Sequence, residues 1–156
     1  MSGGGPVAAP VLRRATAVDA PAIGTIVSAA YGHYVERIGR LPKPMAADHA
    51  AAVRDHEVWV LDDGGETIAV LELIDGDGHL FIENVAVHPQ YQGVGLGRRL
   101  LDHAESVARA RGLPEIRLET NERFVENLAI YRARRYEEFG RTPVGGTAVV
   151  DLRKRL

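Results

Sequence analysis

The chain has 156 residues, 46% hydrophobic and 26% charged, which is the balance of a single globular domain with a substantial core. Its formal net charge of −2 comes from interspersed residues of both signs, so nucleic acid is not an expected partner. The absence of cysteine excludes disulfides and thiol chemistry, and the lack of a long apolar run or a basic, hydrophobic leader predicts a cytoplasmic protein with no membrane partner.

The first half of the chain is predicted to alternate helices with strands. Residues 1–10 are mostly glycine, alanine and proline and predict a disordered lead, so the single predicted domain covers residues 11–156. The elements predicted in it are a strand at Val11 to Ala15, a helix at Ala22 to Tyr31, a loop from Gly32 to Pro44, a helix at about Ala46 to Arg54, and strands at Glu57 to Asp62, Thr67 to Ile74 and His79 to Val87.

The second half begins with a glycine-rich turn, after which apolar residues recur at helical spacing until Gly112 and Pro114 end the helix. A strand at Glu115 to Thr120, a helix at Arg123 to Ala133, and a hairpin of Tyr136 to Arg141 with Ala148 to Leu152 follow. Because the strands alternate with helices and also form hairpins, we predict an α+β fold. Its mixed, mainly antiparallel central sheet has about six to seven strands, with helices on both faces.

The segment Val85 to Leu101 is the most informative about function, because it runs from a strand through packed glycines into a helix. The first amides of a helix lack internal partners and the helix dipole favours negative charge there, so a phosphate-bearing cofactor is expected. A dinucleotide fingerprint fails because its third glycine would fall on Arg98 or Leu100. A triphosphate loop fails because the chain contains no Gly-Lys pair.

The remaining pattern is Gln92-x-x-Gly95-x-Gly97, and a second box, Asn127-x-x-x-Tyr131, follows one helix and one strand later. Both resemble motifs of the GCN5-related N-acetyltransferase (GNAT) superfamily, in which the glycine pattern wraps the pyrophosphate of acetyl-coenzyme A. The order of predicted elements also matches that family. The resemblance therefore implies a GNAT-like fold with acetyl-CoA as co-substrate.

The resemblance assigns the cofactor site to the glycine turn and to the strand before it. The cofactor-binding residues it implies are Val85, Val87, Gln92, Gly93, Val94, Gly95, Leu96, Gly97, Arg98 and Asn127. Val85 and Val87 would offer backbone groups to the pantetheine arm, although valines are equally expected in any buried strand. The plain alternative for the glycines is that they only permit a tight turn from strand to helix.

The same resemblance makes Tyr131 the general acid that protonates the coenzyme A thiolate, with Asn127 one helical turn earlier on the same face. The alternative is that Tyr131 is a core aromatic. The chain departs from the family pattern at Arg135, which stands where glycine is expected. Arg135 therefore puts the geometry of that helix end in question.

A general base is needed because an alkylammonium acceptor, with a pKa of roughly 10, must lose a proton before it attacks. Glu83 is the first choice, since it lies in the strand before the glycine turn and period-two alternation places it on the face of Val85 and Val87. A glutamate in an apolar strand is costly to bury without a reason. The alternative is a glutamate that is ion-paired or faces solvent.

Acceptor selection is assigned to the first helix and the loop after it, with Tyr31, Tyr34 and Glu36 as candidate substrate-binding residues. The alternative is a helix end that packs on the core. The histidines are scattered and carboxylates are not clustered, so no metal site is expected.

The sequence thus predicts an acetyl-CoA-dependent N-acetyltransferase that acts on a primary amine by direct attack in a ternary complex. The amine belongs to a small molecule or a peptide. Dimers are common in the family that the chain resembles, so a homodimer is one expectation. The alternative is a non-catalytic CoA or acyl-CoA sensor of the same fold. A third hypothesis, a phosphate-binding protein of another fold, predicts no selectivity for CoA over ATP.

Overall fold

The computed structural model describes residues 9–156. The predicted lead at residues 1–10 therefore lies outside the described residues except for its last two. Of these, Pro10 accepts a hydrogen bond through its carbonyl from the Arg99 guanidinium.

A seven-stranded sheet forms the centre of the molecule, in the order β1-β2-β3-β4-β5-β7-β6. The strands are β1 Val11–Arg14, β2 Glu57–Asp63, β3 Glu66–Asp75, β4 Leu80–Val87, β5 Glu115–Asn121, β6 Glu137–Val144 and β7 Thr147–Arg155. Only the β4–β5 pair is parallel, and every other neighbouring pair is antiparallel. The predicted mixed, mainly antiparallel sheet is confirmed.

Helices cover both faces of the sheet. They are α1 Ala20–Tyr31, α2 Val35–Ile38, α3 His49–Asp55, α4 Leu96–Ala110 and α5 Val125–Ala133. Leu100, Leu101 and Ala104 of α4 pack with Leu128 of α5 in the larger apolar cluster, on one face. Residues of α1 and α3 form a second cluster with alternate residues of β2 to β4. The helices α1, α3 and α4 are held because each buries apolar side chains against the sheet.

The segment between α1 and β2 differs from its prediction. The loop predicted from Gly32 to Pro44 contains the short helix α2, because Ile38 is an apolar residue that the segment can bury, at 6% exposure. The helix predicted at Ala46 to Arg54 begins only at His49. Asp48 is its N-cap and accepts a hydrogen bond from the amide of Ala51 at 3.0 Å, which fixes the start of α3.

The closing hairpin is confirmed, although both strands are longer than predicted and turn at Gly145 and Gly146, both with positive φ. The predicted helix at Arg123 begins at Val125, since the Arg123 amide bonds instead to the side chain of Asn121. No helix in residues 9–156 has the length and apolar character needed to cross a bilayer.

Candidate active site

Strands β4 and β5 separate in the middle of the sheet. They pair only over Leu80 to Ile82 of β4, whereas β5 continues to pair with β7 along its whole length. The carbonyls of Val85 and Val87 accept hydrogen bonds from the Tyr31 hydroxyl at 3.1 Å and the Gln92 side-chain amide at 2.9 Å. Their partners are side chains rather than a neighbouring strand, so this part of β4 is an accessible edge within the sheet.

A β-bulge interrupts β4 at Glu83. Consecutive β3 residues pair with Asn84 and then Ile82, so Glu83 is the extra residue. The alternation of side chains between the two faces of the sheet changes phase there. Before the bulge, Ile82 belongs to the larger apolar cluster. Beyond the bulge, Val85 and Val87 pack against that cluster, and Asn84 does not. The prediction that Glu83 shares a face with Val85 and Val87 is wrong, because an extra residue reverses the parity that the argument assumed.

The turn after β4 carries the glycines at the start of α4. Gly93 and Gly95 have φ of 84° and 89°, a region that L side chains rarely adopt, so both positions require glycine. Gly95 is the N-cap, and the first helical bond of α4 runs from the Arg99 amide to the Gly95 carbonyl. The amides of the first turn before Arg99 therefore have no helical acceptor and remain available as hydrogen-bond donors.

Two grooves meet at the accessible edge of β4. The loop groove, about 470 Å³, runs along the glycine turn, and Gln92, Gly93, Gly95, Leu96, Gly97 and Arg98 line it together with Val87 and Ile130. The strand groove, about 370 Å³, lies between the separated strands and includes Glu83, Glu119, Lys43 and Arg40. Tyr31, Val85, Asn127 and Tyr131 line both. A ligand in one groove can therefore contact a ligand in the other at these four residues.

Tyr131 lies where the grooves meet and is only 7% exposed. Its ring packs edge-on against Tyr136, with centroids 5.7 Å apart. Burial, and to a lesser degree the neighbouring Tyr34, raises the pKa of Tyr131 to about 12. The hydroxyl is therefore protonated at neutral pH and can act as a proton donor.

The end of α5 shows how the chain accommodates Arg135. Arg135 adopts φ of 73°, the left-handed conformation usually taken by glycine. The amides of Arg135 and Tyr136 bond to the carbonyls of Arg132 and Tyr131 at 3.0 Å each, which is a Schellman motif. Arginine therefore forms the helix end that glycine would favour, and the Tyr131 carbonyl is held by the Tyr136 amide.

The three residues predicted to bind the acceptor lie in different places relative to the two grooves. Tyr31 borders both grooves, but its hydroxyl is bonded to the β4 backbone, and burial raises its pKa. Tyr34 is buried, stacks on Phe124 with centroids 4.0 Å apart, and lines the loop groove rather than the strand groove. Glu36 is exposed and lies outside the lining of both grooves.

Glu83 lines the strand groove, but one of its carboxylate oxygens lies 2.9 Å from the Lys43 ammonium. The sequence analysis missed Arg40, Lys43 and Glu119, which also line this groove. Burial, followed by the neighbouring Asp151 carboxylate, raises the pKa of Glu119. No local motif marks these residues, because the separation of β4 from β5 brings them together.

No group of three or more His, Asp or Glu side chains within the described part of the chain is arranged to hold a metal ion. The expectation of a metal-free site stays a prediction.

Comparison with known proteins identifies the class. The family model described as Acetyltransferase (GNAT) family matches residues 25–135, and the chain belongs to this family. The similar solved structures include the IAA acetyltransferase from Bacillus cereus ATCC 14579, with 22% identity, a TM-score of 0.71, and 94% of this chain and 99% of that chain covered. The ribosomal-protein-S18-alanine N-acetyltransferase from Escherichia coli has 21% identity and a TM-score of 0.75, covering 93% and 92%.

A third similar structure, the PaiA N-acetyltransferase from Thermoplasma acidophilum in complex with coenzyme A, has 13% identity and a TM-score of 0.73, covering 94% of this chain and 98% of that chain. At such identities the likeness shows a shared fold. Membership of the family makes the protein an acetyltransferase at the level of the family.

Proposed function

We propose that the protein transfers an acetyl group from acetyl-CoA to a primary amine, by direct attack in a ternary complex. The observation that carries this proposal is the meeting of the loop groove and the strand groove at Val85 and Tyr131. Two ligands that approach from different sides would touch there, beside a protonated hydroxyl. A sensor needs only the loop groove.

The loop groove fits coenzyme A on structural grounds. The first-turn amides of α4 can bind its pyrophosphate, and the exposed Arg98 guanidinium adds positive charge at the same end. The amides of Val85 and Val87 face the open side of β4 and can pair with the pantetheine arm, as can the Asn127 side chain. Acetyl-CoA supplies the activated acyl group, whose carbon bonds to the amine nitrogen as its bond to sulfur breaks.

The chain supplies the two proton transfers that this reaction needs. Tyr131 gives its proton to the departing sulfur, since its hydroxyl is protonated at neutral pH and the residue lines both grooves. Glu83 accepts the proton of the amine, since it lines the strand groove to which Val85 also contributes. Lys43 holds one oxygen of the Glu83 carboxylate and leaves the other for the acceptor.

The test is a panel of primary amines incubated with acetyl-CoA while release of the free thiol is followed. For an active amine, Tyr131→Phe should lower kcat by about 10²–10⁴-fold, because it removes only the donated proton. The affinity for CoA, measured by calorimetry, should stay within about twofold. The matched control is Tyr136→Phe, which removes a hydroxyl from the neighbouring ring outside both grooves.

A Tyr131→Phe variant with unchanged kcat would refute the acid role. Tight CoA binding with no thiol release for any amine would instead favour the CoA sensor.

A further inference from the structure

The strand groove carries negative charge at the end next to Val85. The Glu83 and Glu119 carboxylates interact there with one ammonium, Lys43, and Asp151 lies directly opposite Glu119 on β7. Three carboxylates therefore accompany a single ammonium. An amine that enters this end as its ammonium ion is attracted to it.

Arg40 provides positive charge at the other end of the groove, by the β6–β7 turn. Its Nη1 lies 3.4 Å from the Thr147 hydroxyl and so close to Gly145 that an added Cβ would be only 3.1 Å away. No carboxylate within residues 9–156 forms an ion pair with Arg40. A half-buried guanidinium that lacks an anionic partner keeps donors available for a ligand.

Apolar side chains also line the groove. Val149 lies on β7 between Thr147 and Asp151, and Leu41, Phe124 and Val144 are part of the same lining. These side chains suit a hydrocarbon segment. The groove thus presents an acidic end, apolar side chains, and a guanidinium at the other end.

We infer that the amine acceptor also carries one carboxylate, which Arg40 binds while the amine lies at the Glu83 and Glu119 end beside Val85. This inference rests on the proposed function and names the substrate class. A polyamine fits less well, because its second ammonium would meet Arg40. A phosphate dianion also fits less well, because the excess of carboxylates repels a second negative charge more strongly.

The experiment compares ω-amino acids, from β-alanine to 8-aminooctanoate, with their primary amides. Each pair shares its amine and differs mainly in the charge at the far end, so the amine pKa is nearly matched in the longer members. For the best chain length we expect kcat/KM to be at least about tenfold higher for the acid, which is the effect of one charge-assisted hydrogen-bond pair.

Arg40→Gln should reduce this preference for the acid to about onefold, by lowering kcat/KM for the acid and leaving the amide within about twofold. Arg40→Lys keeps the charge and should restore part of the preference. The control, Arg54→Gln, removes an exposed arginine paired with Asp55 outside the groove and should leave the preference unchanged. Thermal melts of each variant check that it is folded.

The inference is overturned if no acid in the series exceeds its amide, or if folded Arg40→Gln keeps the preference of the wild type. Acetylation of the amides without any preference for the acids would support the proposed function and refute only the inference that the acceptor carries a carboxylate. If no amine releases thiol, the proposed function fails. Calorimetry of the acid and amide pairs with the CoA-loaded protein then decides the inference alone, since equal affinities overturn it and tighter, Arg40-dependent binding of the acid supports it.

Discussion

Replacing Arg135 with glycine should stabilise the protein. Arg135 occupies the left-handed position of the Schellman motif that ends α5, with φ of 73°. Its side chain is exposed, so little packing is lost when the side chain is removed. The hydrogen bonds of the motif come from backbone amides of Arg135 and Tyr136, and these remain in the variant.

The size of the effect follows from two opposing contributions. A side chain in the left-handed region costs about 1–2 kcal/mol, because Cβ approaches the following carbonyl oxygen. Glycine gives up about 0.5–1 kcal/mol of this gain, because it makes the unfolded chain more flexible. We therefore expect Arg135→Gly to raise the free energy of unfolding by about 0.5–1 kcal/mol, which corresponds to roughly 1–4 °C in Tm for a domain of this size.

Urea unfolding followed by circular dichroism measures the change, and Arg135→Ala is the matched control. Alanine removes the same long side chain but keeps Cβ, so its stability should stay close to that of the wild type. Acetylation kinetics should be the same in all three proteins, since the Tyr131 carbonyl keeps its bond from the Tyr136 amide. Equal stability of the glycine and alanine variants would refute the argument that backbone strain is stored at Arg135.

Three further predictions concern the proposed cofactor site, the proposed base and the fold. Gly95→Ala should weaken CoA binding by about tenfold or more in calorimetry, because its φ of 89° disfavours any side chain, whereas Gly32→Ala, at φ of −54°, should bind CoA normally. Glu83→Gln should lower kcat/KM by about 10²–10⁴-fold at neutral pH, and a loss below about threefold would exclude it as the base. Arg13 holds the pKa of Asp19 well below its usual range. The stabilisation that this ion pair gives the folded protein is therefore complete above about pH 4 and is lost as the pH falls further. Asp19→Asn should therefore lower the free energy of unfolding by about 2 kcal/mol at neutral pH. In urea titrations from pH 7 to pH 2, the variant should also lose less stability at low pH than the wild type, and an equal loss would contradict this.

Features that depend on neighbouring residues in the chain could be predicted from the sequence. The glycine turn is an example, because positive φ at Gly93 and Gly95 and the free amides of α4 are local consequences of the residues between β4 and that helix. The spacing of Asn127 and Tyr131 is another, since one helical turn places both on the face that borders the grooves. Most strands could also be located from the sequence, because each shows its own alternation of apolar and polar residues and is bounded by turn residues.

The bulge at Glu83 shows where such rules fail. Alternation along a strand assumes regular pairing, and the pattern Leu-Phe-Ile-Glu-Asn-Val does not reveal that β3 skips one residue of β4. The helix at Val35–Ile38 was missed for a related reason: four residues carry too little periodicity, and the helix forms because Ile38 is buried against distant parts of the chain.

The sequence by itself determined the class of the protein and the position of its glycine turn, because both are set by residues close together in the chain. Only the tertiary structure decided which side chains line the strand groove. Arg40, Lys43, Glu83 and Glu119 come from a loop and two strands, and they share one groove because β4 and β5 stop pairing after three residues. The charges that line the strand groove are therefore a property of strand separation, which depends on packing across the whole sheet.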